Sequence, residues 1–214
     1  MGTDIYLYAE IKKHGTWQPL SLAEQGEHRP EYCPESDPED YVDSQLSAPV
    51  EIYNARNDDL FAILGDVRNP TGRTLNDQPF DVIAPPRGLP EDLSIEIRSM
   101  LNDWECETGS GVSGPSWLLL SEVLEFDWYG KVMCYQAMVD ARVAHLFEES
   151  KPFPYDPWPK EIPIGYATYM RDGVIVRWTD TYADAAGQDF MDFLNTLKQQ
   201  GEPSQIRLVF WFDH

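Results

Sequence analysis

Hydrophobic and polar residues alternate with a period of two at both ends of the chain. From Thr3 to Lys12 the odd positions are apolar or small, and the even positions are polar or aromatic. The same alternation runs from Ile206 to Asp213. A period of two is typical of β-strands, whose successive side chains point to opposite faces. Both ends of the chain are therefore predicted to form strands, and the turn at 14–16 is predicted to return the first strand as a hairpin through Trp17.

Between these ends the apolar residues are spaced as in helices. The first such set is Leu60, Phe61, Leu64 and Val67. Asn57 is suited to cap the helix that they predict, and Asn69 and Pro70 are suited to end it after Arg68. Further helices are predicted over Pro90–Trp104, Trp117–Phe126, Lys131–Glu149 and Thr181–Gly201, and two further strands over Ile164–Met170 and Val174–Trp178.

Strands at both ends with helices between them predict an α+β fold. We expect a single domain over residues 1–214, with an antiparallel or mixed sheet that includes the N- and C-terminal strands near its centre and is covered by helices. Residues 24–47 are rich in Asp, Glu and Pro. This composition predicts an acidic surface loop.

Charge narrows the classes of partner. The chain has 37 Asp and Glu against 16 Lys and Arg, a formal net charge of -21 over 214 residues. Direct binding to nucleic acid is not expected, because that binding depends on cationic side chains that displace counterions from phosphates. Plain solubility, attraction to a basic protein surface and mimicry of nucleic acid all remain open.

The cysteines, the N-terminus and the lengths of the apolar runs bear on the compartment of the protein and on membrane binding. Three widely separated cysteines, Cys33, Cys106 and Cys134, predict reduced thiols. No signal peptide is recognised at the N-terminus and no run of eighteen apolar residues occurs. We therefore expect a cytoplasmic protein with no membrane partner.

Scarce cations are concentrated in one stretch. Arg56, Arg68, Arg73 and Arg87 are four of the sixteen Lys and Arg residues. A guanidinium group binds phosphate or carboxylate with two parallel hydrogen bonds, so the cluster predicts a site for a small anionic, nucleotide-like ligand. The alternative is that aspartates of the same stretch neutralise the arginines, and these are Asp58, Asp59, Asp66, Asp77 and Asp81.

A second candidate site lies on the polar face of the first strand. Asp4 and Tyr6, with Trp211 if the last strand lies alongside, could stack on and hydrogen-bond a purine or ribose, and Trp117 and Trp128 could form the walls of such a pocket. The alternative is a layer of side chains packed under a helix.

Catalytic motifs give little support for an enzyme. The chain has no Gly-x-Ser-x-Gly and no His-Glu-x-x-His sequence. No cofactor is predicted, and a binding protein is favoured. The enzymatic alternative is a metal-dependent phosphoester hydrolase that uses Asp4 and Asp213.

Several short blocks resemble a family of uncharacterised proteins encoded by bacteriophages, prophages and some bacteria. Members begin Met-Gly-x-Asp-Ile-His and close with Phe-Trp-Phe-Asp. The matching residues here are Gly2, Asp4 and Ile5; Arg56, Asn57, Leu60 and Phe61; Asp66–Asn69; Arg87–Pro90; Ser116–Leu118; Phe126–Trp128; and Phe210–Asp213.

This chain also departs from the family. Tyr6 stands where relatives have histidine, and Ser113 and Pro115 stand where some have His-x-His. If relatives hold a metal, these changes would remove its nitrogen ligands.

The resemblance implies an accessory protein that acts by binding in the cytoplasm of a host cell. Its action against host defence would be to sequester a small anionic ligand or to engage a host protein. An oligomer is compatible with the sequence.

Overall fold

A computed structural model of the chain describes residues 3–20, 51–53, 56–108 and 112–213. The predicted acidic loop at 24–47, Cys33, and the side chains of Cys106 and Asp213 lie outside the described residues. The chain forms two compact units. The first comprises Met1–Arg56, Pro86–Val123 and Leu197–His214, and the second comprises Asn57–Pro85 and Leu124–Thr196.

The fold is α+β, as predicted. The strands are β1 (Asp4–Lys13), β2 (Thr16–Pro19), β3 (Ser113–Leu119), β4 (Val132–Asp140), β5 (Gly173–Thr181) and β6 (Ile206–Asp213). The helices are α1 (Asp58–Gly65), α2 (Ile95–Thr108), α3 (Leu120–Glu125), α4 (Tyr182–Ala186) and α5 (Gln188–Lys198). Short 3-10 turns occur at Leu75–Asp77, Ala144–Leu146 and Pro203–Gln205.

The first unit contains a four-stranded sheet of order β2-β1-β6-β3, in which all neighbouring strands are antiparallel. The N- and C-terminal strands form its central pair, with Asp4 opposite Asp213 and Ile11 opposite Ile206. The prediction for the two chain ends is therefore confirmed. So is the hairpin, whose turn has positive φ at His14 and Gly15.

Helix α2 covers one face of this sheet. Its residues Ile97 and Leu101 and the preceding Leu93 form a buried cluster with Tyr8 of β1 and with Val209 and Trp211 of β6. Leu93, Ile97 and Leu101 lie within the segment predicted as a helix over Pro90–Trp104, at the spacing that places them on one face. The helix begins at Ile95, five residues after Pro90, because the intervening residues form a turn.

The second unit contains a two-stranded sheet in which β4 and β5 pair antiparallel. The predicted helix over Lys131–Glu149 was wrong, because its first half is β4. The spacing of Val132, Tyr135 and Val139 suits a helix, but burial in β4 alternates, with Met133, Tyr135, Ala137 and Val139 inside. A period of two therefore describes this segment better than a period of 3.6.

Two neighbouring predictions were wrong in part. The strand expected over Ile164–Met170 is reduced to one bridge, between Ala167 and Met138, and β5 pairs with β4 instead. The helix expected over Trp117–Phe126 starts only at Leu120, because Trp117 and its neighbours belong to β3.

Helix ends were predicted with mixed success. Asn57 caps α1 as expected, but the left-handed residue at its C-terminus is Asp66, three residues before Asn69. At the start of the helix predicted over Thr181–Gly201, Thr181 and Asp184 form a capping box, so the predicted start is confirmed. Gly187, at φ 88°, divides the helix that follows into α4 and α5.

Asn57 also joins two helices of the second unit. Its side-chain oxygen accepts hydrogen bonds from the N–H groups of Asp59 and Leu60, at 3.0 and 3.1 Å. Its amide nitrogen donates to the carbonyl oxygens of Ala185 and Ala186 at the end of α4, at 2.8 and 3.0 Å. One side chain thus satisfies backbone groups at the start of α1 and at the end of α4.

We predict that Asn57→Ala destabilises the protein by roughly 2–3 kcal/mol, since the loss of the cap costs about 1 kcal/mol and two carbonyl groups lose a donor. Urea unfolding followed by circular dichroism measures the change. Asn195→Ala, at an exposed asparagine of α5, is the matched control and should change stability little. Equal effects of the two substitutions would contradict the role of Asn57.

Candidate functional site

The four predicted site arginines are divided between the two units. Arg56 and Arg87 belong to the first unit, and Arg68 and Arg73 belong to the second. All four guanidinium groups bind carboxylates of the chain itself. Their role in binding an external ligand stays a prediction, but neutralisation of their charge requires no ligand.

In the first unit both arginine pairs are bidentate. Arg56 donates to Asp4 at 2.8 and 2.7 Å, and Arg87 donates to Glu122 at 2.8 and 2.5 Å. The hydrogen bond from Arg56 holds the pKa of Asp4 below its ordinary value, and the bond from Arg87 does the same for the pKa of Glu122. Neither Asp4 nor Glu122 is among the aspartates that the sequence suggested as partners of these arginines.

In the second unit the pairing follows the alternative considered from the sequence. Arg68 contacts Asp58 at 3.3 Å, and Arg73 contacts Asp59 at 3.0 Å. Asp59 is buried and also accepts a hydrogen bond from the Tyr135 hydroxyl, at 3.0 Å. These aspartates stabilise the arginines locally.

The polar face of β1 is mainly a packed layer. Tyr6 and Tyr8 stack against Trp211, with ring centroids 6.3 and 5.0 Å apart, and Trp211 is only 1% exposed. The indole N–H of Trp211 has no hydrogen-bond partner among the described residues. Trp128 lies in the core of the second unit, where it packs against Phe190.

Two of the predicted residues, Arg87 and Trp117, do meet in a cleft of the first unit. This cleft, the tryptophan cleft, has a volume of about 640 Å³. Its principal lining residues are Lys12, Trp17, Arg87, Asp92, Trp117 and Arg207. A volume of this size suits a small ligand, since ligand sites measure about 300–1,000 Å³.

Strand register places these side chains together. Lys12 lies opposite Trp17 across the β1–β2 hairpin, and Glu10, two residues before Lys12, lies opposite Arg207. Directly opposite residues share a face of the sheet, and so do residues two apart in one strand. Trp117 comes from β3 on the other side of β6. The cleft therefore occupies the part of the sheet face beyond α2.

Arg207 is the central residue of the cleft. It is 2% exposed, donates to Glu10 and to the Asp92 carboxylate at 2.6 Å each, and donates to the Asp92 carbonyl oxygen at 2.9 Å. Its guanidinium carbon lies 4.1 Å from the ring centroid of Trp17 and 5.9 Å from that of Trp117. Cation–π contacts and charge-assisted hydrogen bonds thus fix this side chain.

The carboxylates of the cleft differ in exposure. Glu10 is fully buried and also accepts the backbone N–H of Ser94, at 2.8 Å, whereas the Asp92 side chain is 63% exposed. Hydrogen bonds from Arg207 and Trp17 lower the pKa of Asp92, and that from Arg207 is the larger cause. Of the two carboxylates, only Asp92 is exposed enough for an incoming anion to displace it from Arg207.

The cations of the cleft also differ. Arg87 lies 4.8 Å from the Trp117 ring centroid while its guanidinium binds Glu122. Lys12 lies 5.3 Å from the Trp17 ring centroid and forms no ion pair with any residue in the described ranges. The cleft therefore has one cation whose charge is not offset by a described carboxylate.

Sequence reasoning missed Lys12, Trp17, Asp92 and Arg207. A signal was present, because Glu10 and Arg207 are charged residues inside the two predicted terminal strands. Charged residues are seldom fully buried unless they are paired. Two opposite charges on paired terminal strands would have predicted a buried ion pair.

A further titratable group lies near Asp4. Burial, with a smaller contribution from the Asp4 carboxylate, raises the pKa of Glu51 to about 7. Glu51 and Tyr6 contribute to the raised pKa of the Tyr8 hydroxyl, for which burial is the main cause. Glu51 is therefore partly neutral near pH 7.

The second unit holds a buried carboxylate of another kind. Asp180 accepts hydrogen bonds from the Phe153 N–H, at 2.9 Å, and from the Trp178 indole N–H, at 2.8 Å. Burial raises the pKa of Asp180 to about 6. The geometry indicates an anchor for the chain around Phe153, because both carboxylate oxygens accept bonds from the unit itself.

Within the described part of the chain, no group of three or more His, Cys, Asp or Glu residues could hold a metal ion. No helix in that part is long and apolar enough to cross a bilayer. Comparison of the chain with protein-family models, curated proteins and solved structures gave no match.

We predict that Glu10→Gln destabilises the protein by about 3–5 kcal/mol, because it leaves the buried charge of Arg207 without its buried partner. Asp92→Asn is the matched comparison. It removes the exposed partner of the same arginine and should cost about 1 kcal/mol or less. Urea unfolding at neutral pH measures both changes. If both variants lost the same free energy of unfolding, burial of the carboxylate would not determine how much it stabilises the protein.

We predict a pH-dependent effect of Glu51→Gln. The pKa of Glu51 is about 7 in the folded protein and near the ordinary 4.5 in the unfolded chain, so between these values the folded state binds the extra proton. The stability contributed by Glu51 is then full below pH 4.5 and is lost as pH rises through 7. At pH 8 the variant should exceed the wild type by on the order of 1 kcal/mol, because partial exposure reduces the effect.

Unfolding free energies at pH 4.5 and pH 8 test the Glu51 prediction. The advantage of Glu51→Gln should be greater at pH 8 than at pH 4.5. Glu202→Gln, at an exposed glutamate, should show no such difference. An effect of Glu51→Gln that is the same at both pH values would contradict the prediction.

Proposed function

We propose that the protein acts by binding a small, partly planar anion of nucleotide size in the tryptophan cleft. The observation that carries this proposal is Lys12, a cation at the side of Trp17 that has no carboxylate partner among the described residues. A phosphate or carboxylate group of a ligand would supply the missing charge. The partly exposed Trp117 would offer an aromatic surface to a planar group.

Asp92 makes room for a second contact in this proposal. Its carboxylate accepts hydrogen bonds from one nitrogen of Arg207 and from the Trp17 indole, and because the side chain is exposed it can rotate into solvent when a ligand replaces it. A ligand anion that takes its place keeps Arg207 neutralised. Glu10, which is buried, stays in place and keeps the guanidinium oriented. Arg207 would then bind Glu10 on one side and the ligand on the other.

The biological setting of this proposal comes from the resemblance to proteins of bacteriophages and prophages. In that setting the protein would act in the host cytoplasm and sequester a nucleotide-like molecule that host defence requires. Binding, without catalysis, is sufficient for such a role.

A second candidate function is engagement of a basic host protein, or mimicry of nucleic acid toward one. It rests on the net charge of -21. A field of this sign attracts cationic surfaces and accelerates their association at low ionic strength. Loss of partner binding between low and high salt, with no effect of Lys12→Ala, would favour it over the cleft.

The hydrolase alternative places a divalent metal at Asp4. Both oxygens of that carboxylate already accept hydrogen bonds from Arg56, so a metal would have to displace the arginine. Added magnesium or manganese that raises the melting temperature and supports phosphodiester cleavage would favour this alternative.

We predict that Lys12→Ala weakens binding of nucleoside monophosphates about tenfold, the effect of one charge-assisted contact. Lys13→Ala is the matched control. It removes the same charge from the next residue of β1, whose side chain points to the opposite face, and should leave affinity unchanged. Asp92→Asn should tighten binding, because it removes the carboxylate that competes for Arg207.

Isothermal titration calorimetry with the four monophosphates measures these affinities, and native mass spectrometry of freshly purified protein detects a retained ligand. The proposal fails if the wild type binds none of the probes and retains nothing. It also fails if Lys12→Ala and Lys13→Ala have the same effect.

A further inference from the structure

One edge of the two-stranded sheet in the second unit is open. The backbone N–H of Thr179 in β5 donates to the carbonyl oxygen of Lys151, at 2.9 Å, and therefore points away from β4. Backbone groups of residues two apart in a strand point the same way. The N–H and C=O groups of Ile175 and Arg177 consequently point outward as well, and no described residue bonds to them.

The other edge of the same sheet is covered. Gln136 of β4 donates its N–H to the carbonyl oxygen of Arg73, at 3.2 Å. Met138 and Ala167 exchange two backbone hydrogen bonds, at 2.8 and 3.0 Å. In the described residues the open edge is thus confined to the 174–177 part of β5.

This open edge is apolar and lies beside a groove. Val174 and Ile175 are 41% and 58% exposed. The groove, of about 450 Å³, runs between residues 174–177 and a wall that includes Ala144, Phe147 and Glu149. Natural edge strands are usually protected by lysine, proline or a bulge, and a run of β-branched residues offers none of these.

We propose that a second copy of this chain occupies this edge. The β5 strands of two copies pair antiparallel about a two-fold axis, with Ile175 of one copy opposite Arg177 of the other. Each such pair exchanges two backbone hydrogen bonds. The result is a four-stranded sheet of order β4-β5-β5-β4, and sheets of three or more strands are more stable than isolated pairs.

The charge distribution favours a second copy as the occupant. The whole chain has a net charge of -21, yet residues 140–177 contain five Lys and Arg against six Asp and Glu, a net charge of -1. Two copies that meet here bring near-neutral surfaces together, and the excess negative charge lies on other parts of each chain. The proposed register also places Arg177 beside an isoleucine of the other copy and not beside its own equivalent, which avoids repulsion between like charges.

Sedimentation velocity of the full chain, from low micromolar to millimolar concentration, tests this proposal. We expect a reversible dimer whose dissociation constant rises about tenfold or more in Ile175→Lys, because a lysine on an edge strand opposes strand pairing. Ile164→Lys is the matched control, since Ile164 has the same residue type and is 56% exposed in the same unit. This control should dimerise as the wild type does.

Ile175→Pro tests the backbone bonds themselves. Proline at this position removes an N–H that points outward, so the hydrogen bonds between β4 and β5 remain. Dimerisation should be lost while circular dichroism and the melting temperature of the dilute protein stay near the wild-type values. In hydrogen exchange of the wild type, the amides of Ile175 and Arg177 should become slower to exchange as concentration rises.

Salt gives an independent test of the charge argument. High salt screens the repulsion between the acidic remainders of the two chains, so the dimer should tighten as salt is raised. The proposal is overturned by a chain that stays monomeric at every concentration, by a dimer that Ile175→Lys leaves intact, or by a dimer that salt weakens. A monomer whose β5 edge instead binds an extended peptide also overturns it, since the occupant would then be a foreign strand.

Discussion

The ion pair between Glu10 and Arg207 is the interaction on which the first unit depends. The two side chains lie 2.6 Å apart on the two central strands, and their positions in the sequence differ by 197. Burial of both charges carries a desolvation cost, which is offset only when hydrogen bonds occupy the remaining donors and acceptors. Glu10 meets this condition through the Ser94 N–H, and Arg207 meets it through Asp92. The pair therefore joins the chain ends, the approach to α2 and the cleft in a single network.

The acidity of the whole chain explains why the four arginines of the predicted cluster, Arg56, Arg68, Arg73 and Arg87, each bind a carboxylate. With 37 Asp and Glu against 16 Lys and Arg, a guanidinium group in a folded unit has many carboxylates within reach. Arginine also forms better paired hydrogen bonds with a carboxylate than lysine does. Scarcity of cations is consequently weak evidence for an external anion. A cation such as Lys12, which forms no ion pair with a carboxylate of the described residues, is stronger evidence, and only the structure distinguishes it from the four arginines.

The parts of the fold that were predicted correctly have a local physical cause. The terminal strands show clear alternation, the hairpin has a glycine turn, and Asn57 and Thr181 cap their helices with side chains of the appropriate chemistry. Strand β4 was missed because the spacing of Tyr135 and Val139 fits both a helix and a strand. Burial of Met133 and Ala137 shows that the period is two, but burial is visible only in the folded protein. Local spacing cannot settle such a segment without its partner strand.

The candidate site was predicted less well than the fold, for a related reason. Arg87 and Trp117 were identified, but the cleft also needs Trp17 and Arg207, which come from strands far apart in the sequence. Register between β1, β2 and β6 brings them together, and register is a property of the folded sheet. Local patterns predict which residues face inward. They do not predict which distant residues become neighbours.

The two units differ in how much of their backbone is hydrogen-bonded within a sheet. In the described residues the first unit has four strands, and its central strands satisfy their backbone groups by pairing on both sides. The second has two strands, and side chains such as Asp180 and Asn57 satisfy part of its irregular backbone through bonds to Phe153 and to the end of α4. A sheet of two strands pairs fewer of its backbone groups within itself than a sheet of four. It also leaves a larger share of its backbone N–H and C=O groups at an edge. In the described residues, the apolar edge of β5 is where such groups have no hydrogen-bond partner.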